Sequence, residues 1–164
     1  MSKNGVAELS ARELVDKYSA MIYRLAYARL QSNADAEDVT QEVLLRYIRA
    51  DKSFNDEEHR KAWLLKVTVN VIKTRATSAH RRHDVELEEA SGVTYEQQEP
   101  SGVKEAVAQL PEKYKVAIHL FYFEQLTIEQ ISKILNKSQG TVKSLLSRGR
   151  DKLRELLSEE GQYV

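Results

Sequence analysis

The sequence predicts an all-α protein: two small helical domains, an N-terminal helical bundle and a C-terminal helix-turn-helix, joined by a flexible acidic linker. Three observations carry this. Across 164 residues there are only 6 Gly and 2 Pro, while the strong helix formers Ala, Leu, Glu, Lys and Arg are abundant. Apolar residues recur at three- and four-residue spacing behind recognisable caps. Between the two patterned halves, residues 84–104 hold two Gly, one Pro and little periodicity, as a tether does.

The expected elements follow in order. Ser10-Ala-Arg-Glu13 is a capping box, in which each side chain accepts the other residue's backbone N–H. Leu14, Tyr18, Ile22, Leu25 and Tyr27 to Leu30 follow at helical spacing. A second helix is expected from near Asp35, whose charge suits the positive end of the helix dipole. Val39, Val43, Leu44, Tyr47 and Ile48 share its apolar arc. After the polar stretch Asp51 to Asp56, a third helix runs from about Glu57 to His80. Its Val67-Thr-Val-Asn-Val71 alternates like a strand, but no Gly or Pro lies between Glu57 and Arg82, too long a run for one strand. Beyond the linker, Pro111 suits the start of a helix continuing through Tyr114, Ala117, Ile118, Phe121 and Tyr122. Thr127-Ile-Glu-Gln130 is a second capping box. Asn136 tolerates a left-handed helix end, and Ser138 caps a last helix holding Val142, Leu146, Leu153 and Leu157. The boundaries read as 8–83, 84–104 and 105–160.

Composition narrows the class. With 41% hydrophobic and 30% charged residues the chain is globular rather than disordered. With no Cys, disulfides and thiolate metal sites are excluded. No apolar run approaches the ~20 residues of a membrane span, and no signal-peptide core opens the chain, so a cytoplasmic protein is expected. The formal net charge of +0 hides an asymmetry. Residues 84–104 carry six acids (Asp84, Glu86, Glu88, Glu89, Glu96, Glu99) against Lys104. Residues 133–154 carry seven bases (Lys133, Lys137, Lys143, Arg148, Arg150, Lys152, Arg154) against Asp151. A local basic face is what phosphates respond to, whatever the average.

Three constellations carry candidate functions. On the last helix, Val142, Leu146, Gly149 and Leu153 take one face; Gly140, Lys143, Ser144, Ser147 and Arg148 take the other, with Gln139 and Thr141 beside Ser138 at the start. Small residues for close approach, followed by hydrogen-bonding and cationic side chains, suit a DNA recognition helix; an ordinary solvated face has the same polarity. On the second helix, Asp38, Gln41, Glu42, Leu45 and Arg49 form a stripe opposite the apolar arc, suited to a basic partner surface with an apolar dimple. By spacing alone it also reads as a solvated face. On the third, Lys66, Asn70, Lys73 and Thr77 line up, with Trp63 a turn earlier and Arg81 and Arg82 after. Donors interleaved with an aromatic can grip a single strand and an unstacked base, although a lone Trp is more often core. His59, His80, His83 and His119 complete the inventory. Arg81 and Arg82 between His80 and His83 repel a cation, and no nucleophile–base arrangement or phosphate loop occurs. No metal, cofactor, small-molecule substrate or catalysis is expected.

Ala34-Asp-Ala-Glu-Asp-Val-Thr-Gln-Glu-Val43 and Ala62-Trp-Leu-Leu-Lys-Val-Thr-Val-Asn70 come first. Leu126-Thr-Ile-Glu-Gln-Ile-Ser-Lys-Ile-Leu135, Gly140-Thr-Val-Lys-Ser144 and Leu146-Ser-Arg148 follow. Together and in this order they resemble the extracytoplasmic-function (group 4) sigma factors, the small bacterial transcription initiation factors of the sigma-70 family. The resemblance spans most of residues 10–157. It implies that the helix with Asp38, Gln41 and Glu42 docks on core RNA polymerase, and that residues 53 to about 82 melt the minus-ten element. Asn70 would then lie near a flipped base, and the loop before Glu57 would form part of the base pocket. The helix-turn-helix would read the minus-thirty-five duplex, while the acidic linker threads the polymerase's RNA exit route. An anti-sigma partner, often membrane-anchored, is implied too. Thr74, Leu145 and Gly149 depart from the family's usual acid, arginine and alanine, the last at roughly 1 kcal/mol of helix stability. The alternative is a stand-alone helix-turn-helix regulator, which has no reason to carry the Asp38/Gln41/Glu42 stripe together with Trp63 to Asn70.

Overall fold

A computed structural model describes residues 7–82 and 102–159, with side chains over 7–75 and 102–158. The chain divides into two compact units, the boundary falling between Gly92 and Val93. Every regular element among the described residues is helical.

The first unit is three helices: α1 (Ala11–Leu30), α2 (Asn33–Ala50) and α3 (Glu57–Arg82), each packed on the other two. The Ser10/Glu13 capping box is formed on both sides and starts α1. Gln31, left-handed at φ 56°, ends it. Ser32 caps α2 through its hydroxyl, which accepts the Asp35 N–H at 3.2 Å. That moves the start two residues ahead of Asp35. Leu14, Ile22 and Leu25 from α1, Val39 and Val43 from α2, and Leu64 and Leu65 from α3 are completely or almost completely buried. Val69, Val71 and Ile72 join them. The alternating valines are therefore helical, and tertiary burial outweighs their modest helix propensity. Ile48 does not belong to the apolar arc: it is 54% exposed, near the end of α2.

The second unit contains α4 (Gly102–Gln109), α5 (Glu112–Ile118), a π-helical turn (His119–Phe123), α6 (Ile128–Leu135) and α7 (Gln139–Glu159). The expected linker falls outside the described residues except for 102–104, which belong to α4. Ala106 and Val107 of that helix are buried, and α4 packs on α7. Pro111 serves as the N-cap of α5, its carbonyl accepting the Tyr114 N–H at 2.9 Å. The expected α-helix to Tyr122 stops at Ile118 instead. There Glu124 N–H reaches back five residues to the His119 carbonyl at 3.1 Å. This wider turn leaves Tyr122 and Phe123 at 45% and 38% exposure while burying His119 against Glu124, Nε2 to Oε2 3.0 Å. The Thr127/Gln130 capping box is present, and Asn136 is left-handed at φ 55°. α5, α6 and α4 all pack on α7.

Candidate nucleic-acid and partner interfaces

The α2 stripe stands clear of the core. Asp38, Gln41, Leu45 and Arg49 are exposed and Glu42 half-exposed, while Ala36, Val39, Thr40 and Val43 are buried on the other side. Leu45, at 42% exposure, and Ile48 place apolar surface beside the acids. Neither acid is isolated. Asp38 Oδ2 accepts from Arg75 Nη2 of α3 at 2.7 Å, and Glu42 Oε1 from Arg46 Nε at 3.2 Å. Such pairs contribute about 0–1 kcal/mol where water reaches them, weak enough for a stronger cationic surface to exchange with.

On α3, Lys66, Asn70 and Lys73 are all exposed at i, i+4 and i+7, so they form one outward line. Trp63 is half-buried at its head. Its ring meets Phe54 edge-on at 5.8 Å and Tyr47 at 5.9 Å, and Lys52 Nζ lies 6.0 Å from its centroid. Trp63 is thus both a wall of an aromatic cluster and partly open to solvent, and Lys52 is a cation that sequence periodicity gave no reason to single out. Arg81 and Arg82 lie in the last turn of α3; their side chains, like that of Thr77, are outside the described side chains.

The start of α3 is tied to α1 and to the segment before it through Glu57 and a buried arginine that the helical pattern did not reveal. Arg60 is 1% exposed; it pairs with Glu57, donates to the Ala7 carbonyl at 2.6 Å, and lies 5.7 Å from the Phe54 ring centroid. Tyr18 donates its phenol to Glu57, and Lys17 Nζ lies 3.0 Å from the same carboxylate. Burial pushes the Tyr18 phenol well above its usual range, and its bond to Glu57 pushes the same way. Burial alone would raise the Glu57 carboxyl, but the hydrogen bonds of Tyr18 and Lys17 and the Arg60 charge hold it below its ordinary value. Burial likewise works against the Arg60 charge, and Tyr47 and Glu57 overcome it. These contacts fix the level at which α3 and its preceding loop stand.

In the second unit, α6, the Asn136–Lys137–Ser138 turn and α7 form the helix-turn-helix. Lys137 N–H closes onto the Ser132 carbonyl at 3.0 Å, and Ser138 Oγ accepts the Thr141 N–H at 3.1 Å. Val142 and Leu146 are buried, each contributing roughly 1.5–3 kcal/mol by leaving water. Ser138, Gln139, Gly140, Thr141, Lys143, Ser144, Ser147 and Arg148 are all exposed. A methyl group on Gly140 would meet only Ser138 Oγ, at 3.9 Å. The unit does not itself need a glycine there; the bare backbone faces outward. Gly149 is the opposite case: a methyl group would come within 3.0 Å of Ile118 Cγ1.

A further surface was invisible to helix-by-helix reading. Val103 of α4, Tyr122 and Phe123 of the π turn, and Leu153 and Leu157 of α7 line an apolar groove of about 320 Å³. Arg150 at its edge donates to the Tyr122 hydroxyl at 3.0 Å. The groove needs α4 and the wide turn, neither of which the sequence pattern predicted.

Residues 14–82 match the sigma-70 region 2 family and residues 102–153 the sigma-70 region 4 family. The chain is 31% identical over 166 residues to the ECF RNA polymerase sigma factor SigW of Bacillus subtilis, covering 90% of this chain and 88% of that protein. It is 34% identical over 160 residues to the ECF RNA polymerase sigma factor SigL of Mycobacterium tuberculosis, covering 92% and 90% respectively. Among solved structures, the sigma factor RpoE of Bartonella quintana, crystallised with the anti-sigma factor NepR, matches with a TM-score of 0.64. That match covers 90% of this chain and 96% of the other at 21% identity, which speaks to the fold alone. No described helix is long and apolar enough to cross a membrane. Two family regions in order, and relatives above 30% identity along nearly their whole length, establish that the chain belongs to the extracytoplasmic-function RNA polymerase sigma factors of the sigma-70 family.

Proposed function

We propose that this transcription initiation factor divides its work among three exposed faces. The α2 stripe, Asp38, Gln41, Glu42, Leu45 and Arg49, docks on a basic surface of core RNA polymerase, its two acids exchanging Arg75 and Arg46 for cations of the partner. Trp63, Lys66, Asn70, Lys73, Arg81 and Arg82 engage the minus-ten element as it opens, the Asp51–Asp56 loop walling the base pocket. Ser138, Gln139, Gly140, Thr141, Lys143, Ser144, Ser147 and Arg148 read the minus-thirty-five duplex. Residues 8–83 and 105–160 act as separate domains on the 84–104 tether, in the cytoplasm and without catalytic chemistry of their own. An anti-sigma partner silences the factor by covering the docking stripe or clamping the two domains away from promoter spacing.

The observation that carries this reading is the division of α7: every candidate DNA reader is exposed while Val142 and Leu146 are buried. Two weak DNA sites on a tether gain avidity only when something holds both at the right spacing. Footprinting of one promoter fragment with and without core polymerase tests it. Protection of both elements is expected only with core; strong sequence-specific protection by the free protein would favour a stand-alone regulator.

A further inference from the structure

His59 stands at the loop that joins α2 to α3, and nothing proposed above uses it. We infer that His59 is a positioning residue whose uncharged imidazole holds the Asp51–Asp56 loop in place, so that promoter opening requires this imidazole to be neutral. The inference rests on reading that loop and α3 as the minus-ten face.

The loop leaves α2 through Asp51, left-handed at φ 46°, and sends Phe54 into the core at 3% exposure. Two bonds then close it onto α3. Asn55 N–H donates to His59 Nδ1 at 3.3 Å, and His59 N–H donates to Asp56 Oδ1 at 2.7 Å. This is a capping box in which the imidazole takes the role usually given to Glu or Gln, and the donor it captures lies one residue further upstream. The same ring meets Phe54 edge-on at 5.2 Å and 79°. Phe54 in turn stacks on Tyr47 at 5.8 Å and abuts Trp63 at 5.8 Å. Displacing the imidazole therefore loosens the Asn55 backbone and the ring that supports Trp63 together.

The chemistry of the contact has one sign. Because Asn55 offers an N–H, Nδ1 must be the acceptor and Nε2 must carry the ring proton. An imidazolium has two N–H donors and no acceptor, so protonation sets donor against donor. The charged and titratable groups around the ring are the Asp56 carboxylate, Lys52 over Trp63, Arg60 over Phe54, and the Tyr47 phenol from α2. Glu57, the next acid along, is occupied by Tyr18, Lys17 and Arg60. An amide side chain at position 59 would accept the same N–H at any pH.

The test uses the full-length protein and its holoenzyme with core polymerase. Two quantities are measured for wild type, His59→Ala and His59→Gln: the amide-exchange protection factor of Asn55, and opening of a promoter carrying a fluorescent base analogue in its minus-ten element. Both are followed between about pH 8 and pH 5.5, the span over which histidine side chains change charge. Wild-type protection is expected to fall about fivefold on acidification, the factor one neutral hydrogen bond supplies. His59→Ala should show the lower protection throughout, with opening reduced by a similar factor. His59→Gln should keep both protection and opening, and the wild-type-to-Gln ratio cancels any pH dependence of the polymerase itself. Equal Asn55 protection in wild type and His59→Ala overturns the inference, as does an acid loss of opening shared equally by wild type and His59→Gln. Asn70→Ala in the same assay separates the two levels. If it reduces opening and His59→Ala does not, the inference about His59 alone falls. If neither does, the minus-ten reading falls with it.

Discussion

Replacing Gly149 by alanine restores what the family usually carries, and on propensity alone it should stabilise α7 by roughly 1 kcal/mol. The packing predicts the reverse. A methyl group at this position would lie 3.0 Å from Ile118 Cγ1, 3.1 Å from Ile118 Cδ1 and 3.4 Å from Tyr114 Cβ. Ordinary carbon contacts sit at about 3.5–4.0 Å, so two of the three are short by about half an ångström. Ile118 is fully buried, so making room for the methyl means repacking its side chain. Overpacking of this kind costs about 1–3 kcal/mol, which outweighs the propensity gain and leaves Gly149→Ala destabilised by about 1 kcal/mol. In a unit of this size that is a fall of about 4–8 °C in melting temperature. The assay is urea unfolding of the full chain, with amide exchange reporting the α5 and α7 core separately from the first unit. Ile118→Val deletes Cδ1, one of the two short contacts, so in the double variant the second substitution should cost less than it does alone, a coupling of about 0.5 kcal/mol or more. A Gly149→Ala protein more stable than wild type, or strict additivity with Ile118→Val, would refute the close-approach argument.

Three further outcomes are expected. Asp38→Arg breaks the pair with Arg75 and sets two cations together, yet leaves Val39 and Val43 in place. Core-polymerase affinity should fall about tenfold, some 1.4 kcal/mol, with unchanged circular dichroism; normal folding with undiminished affinity removes the docking assignment. Lys143→Ala and Arg148→Ala should each weaken binding to minus-thirty-five duplex and shallow its log–log salt dependence by roughly one unit per lost phosphate contact. Unchanged slopes for both reject the recognition face, while a loss confined to one base position marks a base reader. Glu57 is held below its ordinary pKa in the folded chain, so its ionised form stabilises the first unit. That contribution is complete above the unfolded value and is lost as pH falls through the lower folded one. Glu57→Gln should therefore flatten the acid limb of α1 and α3 unfolding, and an acid limb identical to wild type would contradict the Tyr18–Lys17–Arg60 account.

What the amino-acid sequence determined by itself was whatever is settled within one or two helical turns. The Ser10/Glu13 and Thr127/Gln130 boxes, the left-handed Asn136 and the Ser138 cap each involve partners at most four residues apart, so their geometry is written in nearby letters. The exposed sides of α2, α3 and α7 were legible for a related reason: a 3.6-residue period assigns faces without reference to any neighbour. Tertiary structure alone decided the rest. Asp38 meets Arg75 across 37 residues, and Arg60 reaches Ala7 across 53. No periodicity encodes such pairs, because they depend on where two helices cross. Ile48 was expected on the apolar arc of α2, yet it lies about half a turn round the helix from the fully buried Val39 and is exposed. The helix at 102–109 is too short to hold itself together in water, and its packing on α7 stabilises it. The π turn, which buries His119 against Glu124 and turns Tyr122 and Phe123 outward, leaves no mark in the apolar periodicity. Gly149 reads as a weakness along α7 and becomes a requirement only when α5 lies against it.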